Sequence, residues 1–269
     1  MTRAAARVPG TDLTVERMPG HWLLARLGKR VLRPGGLELT EALLGDLAVA
    51  AGDDVVEFAP GLGRTAKRLV EAGPRSYLGV ERDEDAARWT RGRLPNAANV
   101  GIRVGSAENA GIPGRSASVV VGEAMLTMNT QAHKERIVAE ASRILRKGGR
   151  YGLHELAIVP DDAPEKVKKE IELALSQSIH VGARPLTESE WRALLETSGF
   201  SVRTVRFAPM HLLEPARMVA DEGLPRTLLL LARILSNRTA RKRILAMRRT
   251  FRRYEGSLHA ISIVAAKPD

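Results

Sequence analysis

The stretch Val55-Val56-Glu57-Phe58-Ala59-Pro60-Gly61-Leu62-Gly63 decides the reading of the fold, because a β-branched run there gives way to two glycines and then to a helical pattern at 65–71. Missing side chains at Gly61 and Gly63 let backbone N–H groups approach a ligand at the N-terminus of the following helix. A tight strand-to-helix turn accounts for such a pair equally well, so the glycines do not establish a binding site by themselves. The next strand pattern closes on Glu81, about 20 residues further on, the spacing at which a carboxylate reaches a ribose diol. Glu81 alone could equally cap the helix that follows it. A third strand pattern then ends in Gly105-Ser106-Ala107-Glu108-Asn109, small polar residues where an adenine edge would lie. Three consecutive strand ends therefore agree on a nucleoside ligand.

Working outward, strand patterns at 55–58, 76–81, 100–104, 118–122, 151–156, 202–207 and 260–265 alternate with helical patterns at 65–71, 84–91, 132–145 and 188–197. That alternation is the signature of βαβ units and a parallel sheet. Thr187 with Glu190 three positions on has capping-box spacing. Three stretches lie outside the alternation. Residues 1–10 read as a loose arm and 11–51 as an N-terminal helical cap, with helices near 22–31 and 37–49 parted by Arg33-Pro34-Gly35-Gly36, a turn signal. Residues 160–185 read as a cap insert whose helix, opening at Pro164, aligns Ile171, Leu175 and Ile179 on one stripe. Residues 208–257 form a basic helical insert between the core at 52–207 and a final strand within 258–269.

The chain has 269 residues, enough for one large α/β domain, and no cysteine, which excludes disulfides and thiolate metal sites, so no metal site is expected. The longest apolar run, 228–232, is far shorter than the roughly 20 residues of a membrane span, so a soluble, cytoplasmic protein is expected. The net charge of +11 is concentrated: ten arginines and lysines lie between Arg226 and Arg253 without one Asp or Glu. Within 238–253 an apolar stripe of Ile244, Met247 and Phe251 runs at helical spacing among the arginines. Such a helix either packs its stripe on the domain or lies on a membrane surface. Nucleic acid is the less expected partner, since the insert has few aromatics for stacking on bases.

The stretch 53–207 resembles class I S-adenosylmethionine-dependent methyltransferases, in particular the small-molecule group related to ubiquinone and menaquinone C-methyltransferases. Val55 to Gly63 is similar to that family's first motif, with Glu57 as its acidic member, Ala59 in its first glycine position and Gly61 and Gly63 as its last two. The resemblance implies a Rossmann-like, seven-stranded, mostly parallel sheet with the last strand antiparallel, helices on both faces and added helical caps. It implies S-adenosylmethionine as cofactor, with Glu81 and the adjacent Arg82 at the ribose and Ser106, Ala107 and Glu108 at the adenine. Ser106 replaces the family's Asp. Arg143-Ile144-Leu145-Arg146-Lys147-Gly148-Gly149 is similar to the family's turn before the fifth strand. A dehydrogenase fits poorly, since Gly61-Leu62-Gly63 is not followed by the third glycine of that fingerprint.

The end of the fourth strand pattern, Val121-Gly122-Glu123-Ala124-Met125, lies beside the transferred methyl in this family. It lacks the Asn/Asp-Pro-Pro-aromatic run of base-modifying enzymes, and no cysteine is available to attack a pyrimidine. The expected acceptor is thus an O, N or C centre of a small apolar or aromatic metabolite. The alternatives are a nucleic-acid methyltransferase, or a non-catalytic cofactor-binding protein whose basic insert grips RNA or a membrane. Methyl transfer from a sulfonium needs alignment and exclusion of water more than a fixed catalytic group. Where a base is used, the candidates by position are His180, Glu123, and His154 or Glu155, which alternate in direction on one strand. His180 is the favoured one, and Glu123 has a second reading as a partner of the cofactor's amino-acid end. His21, His133, His211 and His259 read as packing or surface residues.

Overall fold

In the computed structural model, which describes residues 8–10 and 12–269, the apolar runs pair into one seven-stranded sheet. Its strands are β1 (Asp54–Phe58), β2 (Ser76–Glu81), β3 (Val100–Val104), β4 (Ala117–Glu123), β5 (Leu145–Ile158), β6 (Ser201–Pro209) and β7 (Leu258–Ala266). The spatial order is β3-β2-β1-β4-β5-β7-β6. β1 to β5 run parallel, and β7 runs antiparallel to both β5 and β6. Chain direction along the sheet reverses between β1 and β4, which makes their carboxyl ends the crevice where open α/β sheets bind ligands. The Rossmann-like methyltransferase architecture expected from the sequence is the one observed.

The central strands are buried on both faces, which is why they read as continuous apolar runs. Val56, Phe58 and Val120 face α5 (Gln131–Ile144) and α7 (Glu188–Thr197), where Ile137, Ala141, Trp191 and Leu195 complete the core. Val55, Val119 and Val121 face the other way, toward α3 (Arg64–Glu71) and α4 (Glu84–Arg91). The capping box forms as its spacing requires: Glu190 N donates to Thr187 Oγ1 at 3.4 Å and Thr187 N to Glu190 Oε2 at 2.8 Å.

A separate core joins the added segments. Leu23 and Leu24 of α1 (Gly20–Leu27), Ile171 and Leu175 of α6 (Glu165–Ile179), Met218 of α8 (Pro215–Glu222), Leu230 and Ile234 of α9 (Leu224–Ser236) and Ile244, Met247 and Phe251 of α10 (Arg238–Arg253) pack together over the carboxyl edge. Helix packing there is close: a Cβ at Gly20 would stand 2.9 Å from Met247 Sδ and 3.3 Å from Ile179 Cα.

Two expectations are corrected. The second N-terminal helix, α2 (Gly36–Leu47), is not a cap; it lies on the sheet, with Leu43 and Leu47 against β5, where a Cβ at Gly152 would come within 2.6 Å of Leu47 Cδ1. An amphipathic helix presents the same stripe to a sheet as to a cap, so periodicity could not separate them. The Gly148-Gly149 pair does not precede the fifth strand. β5 begins at Leu145, and the pair lies in an irregularity where the pairing jumps from Ala117↔Leu145 to Val119↔Arg150. Of the arm read at 1–10, residues 1–7 lie outside the described residues.

Candidate active site

A cavity of about 620 Å³ opens over the carboxyl ends of β1, β2 and β4, roofed by the cap. Its floor begins with the loop after β1. Ala59, Gly61 and Gly63 have φ of 53°, 56° and 73°, so three alternate residues turn the chain through left-handed conformations. Ala59 adopts that conformation at a cost glycine would avoid, and Ala124, at the end of adjacent β4, does the same with φ 52°. The two glycines have different reasons. A Cβ at Gly63 would strike Thr90 Cγ2 at 2.8 Å, so packing on α4 excludes it. A Cβ at Gly61 meets nothing nearer than Ala59 O at 3.8 Å, so the backbone is bare on a side that faces open cavity.

Three acidic side chains end three strands. Glu81 accepts from Gly61 N and Asp83 N, both at 3.0 Å, and burial raises its pKa against those bonds. Glu57 is fully buried and accepts from Tyr77 Oη at 2.6 Å. Burial pushes it up to about 8, aided by the charges of Glu123 and Glu81. Glu123 goes the other way. Burial opposes its charge, but the Arg33 guanidinium and His154 outweigh burial and hold it well below the carboxylate range. It also accepts from Thr40 Oγ1 at 2.7 Å and from Thr65 Oγ1.

The catalytic candidates are placed as follows. His180 is the left-handed C-cap of α6, is exposed, and does not line the cavity, so the structure does not bring it to the acceptor. His154 is fully buried, with Nε2 at 2.6 Å from Pro34 O and Nδ1 at 2.9 Å from Glu123 Oε1. Both ring nitrogens are held by these partners and the side chain does not line the cavity, so it does not reach a substrate. Glu155 faces the opposite way, as strand alternation requires, and reaches the cavity wall. Its carboxylate is spent on Met125 N, Leu126 N and Thr127 N at 2.9, 2.7 and 3.0 Å, fixing the turn after β4. Glu123 lines the cavity but is enclosed by its four partners.

Of the nucleoside candidates, Arg82, Ser106, Ala107 and Glu108 line the cavity beside Glu57, Ala59, Gly61 and Glu81, whereas Gly63 supports the loop from behind. Ser106 Oγ accepts from Glu108 N at 3.2 Å. The Glu108 carboxylate turns outward to His133 Nδ1 and Arg136 Nε, each at 2.5 Å, which leaves backbone and Ser106 rather than a free acid facing the cavity.

Sequence reasoning missed four contributors. Arg33, taken for part of a turn, lines the cavity and pairs with Glu123, 90 positions away. Thr40 and Thr65 complete that cluster. His21, read as a packing residue, lines the cavity from α1, and burial lowers it to about 4 against the pull of Asp83, so it is a neutral imidazole. No local pattern marks these residues; only the fold brings them together.

Fold, glycine loop and strand-end acid define a nucleoside-binding Rossmann-like protein. Residues 55–149 match the family model described as a methyltransferase domain. An uncharacterized protein of Haemophilus influenzae is 32% identical over 253 residues, covering 92% of this chain and 98% of that one. The 27-O-demethylrifamycin SV methyltransferase of Amycolatopsis mediterranei is 29% identical over 127 residues, 46% of each chain. Among solved structures, geranyl diphosphate methyltransferase in complex with SAM superposes with a TM-score of 0.61 at 20% identity, covering 86% of this chain and 84% of that one. The chain belongs to the class I S-adenosylmethionine-dependent methyltransferases, and S-adenosylmethionine is its cofactor. The matches do not single out the quinone C-methyltransferases within that class. The residues present fit the cofactor, since the uncovered face of Gly61 and the Glu81 carboxylate stand where a nucleoside needs close backbone and a diol acceptor.

Proposed function

We propose that the enzyme methylates an O, N or C centre of a small apolar or aromatic acceptor, including a lipid-like one. The observation that carries this is the lining of the cavity away from the strand ends: Leu24, Leu175, Ile179, Met210, Met247 and Phe251 wall it from the cap, facing Met125 and Met128. Burial of an apolar ligand against such a wall yields about 25 cal/mol per Å² removed from water. The curated relative and the solved structure named above carry small molecules, a rifamycin and a prenyl diphosphate, in their names.

Within this reading, S-adenosylmethionine supplies a methyl group on a sulfonium, already bound to a good leaving group. The chain's own residues position and enclose. Glu81 would accept the ribose hydroxyls, Arg33 would pair with the cofactor's carboxylate, and Glu57 and Glu123 would offset the positive charges of its amino and sulfonium groups. The nearby base candidates are spent on other partners, so acceleration rests on alignment and on the exclusion of water by the apolar wall. His21, which lines the cavity and feels the charge of Asp83, would cover the nucleoside end.

Incubation with methyl-labelled cofactor and a panel of apolar phenols, quinones and prenyl compounds, alongside RNA and DNA, tests the reading. Label in an apolar acceptor supports it. Label in nucleic acid alone, or in no acceptor despite cofactor binding, overturns it. Val181→Trp, which adds bulk at a lining position, is expected to abolish transfer to the acceptor and leave cofactor affinity within about threefold, a change of about 0.7 kcal/mol.

A further inference from the structure

The basic insert has two apolar faces, and only one is covered. The stripe read in the sequence, Ile244, Met247 and Phe251 of α10, is buried in the cap, and Met247 and Phe251 wall the cavity. That stripe is therefore not available to a membrane. The uncovered face belongs to α9. Its inner side buries Thr227, Leu230 and Ile234, while Leu224, Leu228, Leu229 and Leu235 on the other side are 57%, 57%, 50% and 63% exposed. On α10, Leu245 is 44% exposed, one turn from Arg241 and Arg249. With Val219 of α8, six of the ten exposed large apolar side chains among the described residues lie on these three helices, so the exposure is a patch rather than scatter.

The charges around the patch divide in the same way. Arg248 and Arg252 pair with Glu214, Arg253 with Glu170, Arg243 donates to the carbonyls of Val15 and Met18, and Arg233 to that of Leu27. Arg226, Arg238, Arg241, Lys242 and Arg249 have no carboxylate within 4.0 Å among the described residues. The insert thus keeps five uncompensated cations beside five exposed leucines.

We propose that α9 and the outer edge of α10 dock the enzyme on an anionic lipid bilayer, the leucines entering the headgroup boundary and the five cations pairing with lipid phosphates. Both halves of the surface are then satisfied together: apolar insertion alone leaves the cations without counter-charge, and phosphate pairing alone leaves the leucines in water. A second copy of the chain would set these cations against their own kind across a two-fold axis. A nucleic acid offers phosphate but gains nothing from exposed leucines, and the one aromatic side chain of α10, Phe251, is buried. On the inner side of α10, Met247 and Phe251 wall the apolar half of the cavity, so docking sets the acceptor site beside the lipid. That last step rests on the proposed apolar acceptor; the docking does not.

The test uses full-length protein without any acceptor. It is sedimented with vesicles of phosphatidylcholine containing about one-third phosphatidylglycerol, with pure phosphatidylcholine vesicles, and titrated in parallel with transfer RNA. Binding to the anionic vesicles that weakens with salt is expected, with little to the neutral ones. Leu228→Gln with Leu235→Gln lowers partitioning by about tenfold per leucine, the loss of roughly half a buried side chain each. Arg241→Gln, Lys242→Gln and Arg249→Gln each lower it about fivefold. All five positions are exposed, and an unchanged affinity for S-adenosylhomocysteine shows that each variant is folded. Absence of binding to anionic vesicles overturns the proposal, as does vesicle binding that ignores the leucines, or RNA binding that outcompetes the vesicles. Failure to methylate any apolar compound leaves the vesicle result standing and counts only against the acceptor reading.

Discussion

The two halves of the cavity are held together by different physics. At the strand ends, Glu57, Glu81 and Glu123 are polar groups buried with named donors, so each residue is fixed by a bond to another. Under the cap, Leu24, Leu175, Ile179, Met247 and Phe251 are held by packing alone. Removing a group from the first half orphans its partner; removing one from the second leaves a void. The first half therefore tolerates little change in chemistry, and the second little change in volume but much in identity.

The largest effect is expected where the contrast is sharpest. Arg33→Met leaves Glu123 a buried carboxylate without its cation, and the loss of a partner in such a pair costs about 3–5 kcal/mol. Thermal unfolding should show it. Adding Glu123→Gln recovers most of that stability, while cofactor binding by calorimetry stays weak in the double variant. Recovery of both together would mean that Arg33 serves the fold only.

A paired measurement separates the halves. Glu81→Ala removes the acceptor for two backbone N–H groups and for a ribose diol, and the loss of hydrogen bonds to a charged group lowers cofactor affinity by about tenfold to a hundredfold. The same variant leaves the binding of an apolar fluorescent probe unchanged. Met128→Ala reverses the pattern, altering the probe site and sparing the cofactor. If either variant moves both readouts equally, the cavity is one site and the division fails.

A pH titration sharpens the polar half further. Glu57 is near 4.5 in the unfolded chain and about 8 in the fold, so the folded state holds the extra proton. Its contribution to stability is fully present below about pH 4.5 and is lost as pH rises through about 8, so the cofactor-free enzyme loses melting temperature over that window. A cationic ligand favours the ionised form, so cofactor binding releases a proton and affinity rises with pH by up to about tenfold per unit until about pH 8. Arg33, Tyr77, Glu81 and Glu123 are the groups that face it. Glu57→Gln should flatten both profiles; unchanged profiles would assign the titration elsewhere.

The polar half was largely legible in the sequence because strand ends in a parallel sheet converge on one edge, so Glu57, Glu81, Ser106 and Glu123 share a site once the strands are found. The bounds of α4 and α7 were read as observed, and in the structure Asp83 and Thr187 start them with side-chain caps. Arg33 was hidden because its partner lies on another element and its own neighbours spell a turn. His180 misled for the opposite reason: the helix carrying it does line the cavity through Leu175 and Ile179, but a left-handed C-cap turns the next side chain to solvent. The insert's visible stripe proved to be core, and its exposed leucines were lost in a run that periodicity reads as uniformly apolar. Which amphipathic face is covered depends on tertiary contacts, and local pattern does not contain them.

The smallest effect tests the glycine loop itself. Ala59→Gly relieves a left-handed alanine worth about 1 kcal/mol, but glycine adds nearly as much freedom to the unfolded chain, so stability should change by less than about 0.5 kcal/mol. Gly61→Ala meets no protein atom closer than 3.8 Å, so its cost to the fold is again only the left-handed conformation. Its methyl nevertheless occupies the side left bare for the nucleoside. Cofactor affinity should therefore fall by at least about tenfold for Gly61→Ala and by less than threefold for Ala59→Gly, although the two changes are similar in their cost to folding. Equal affinities in calorimetry would show that the loop's glycines answer to the turn alone, the reading that the motif by itself never excluded.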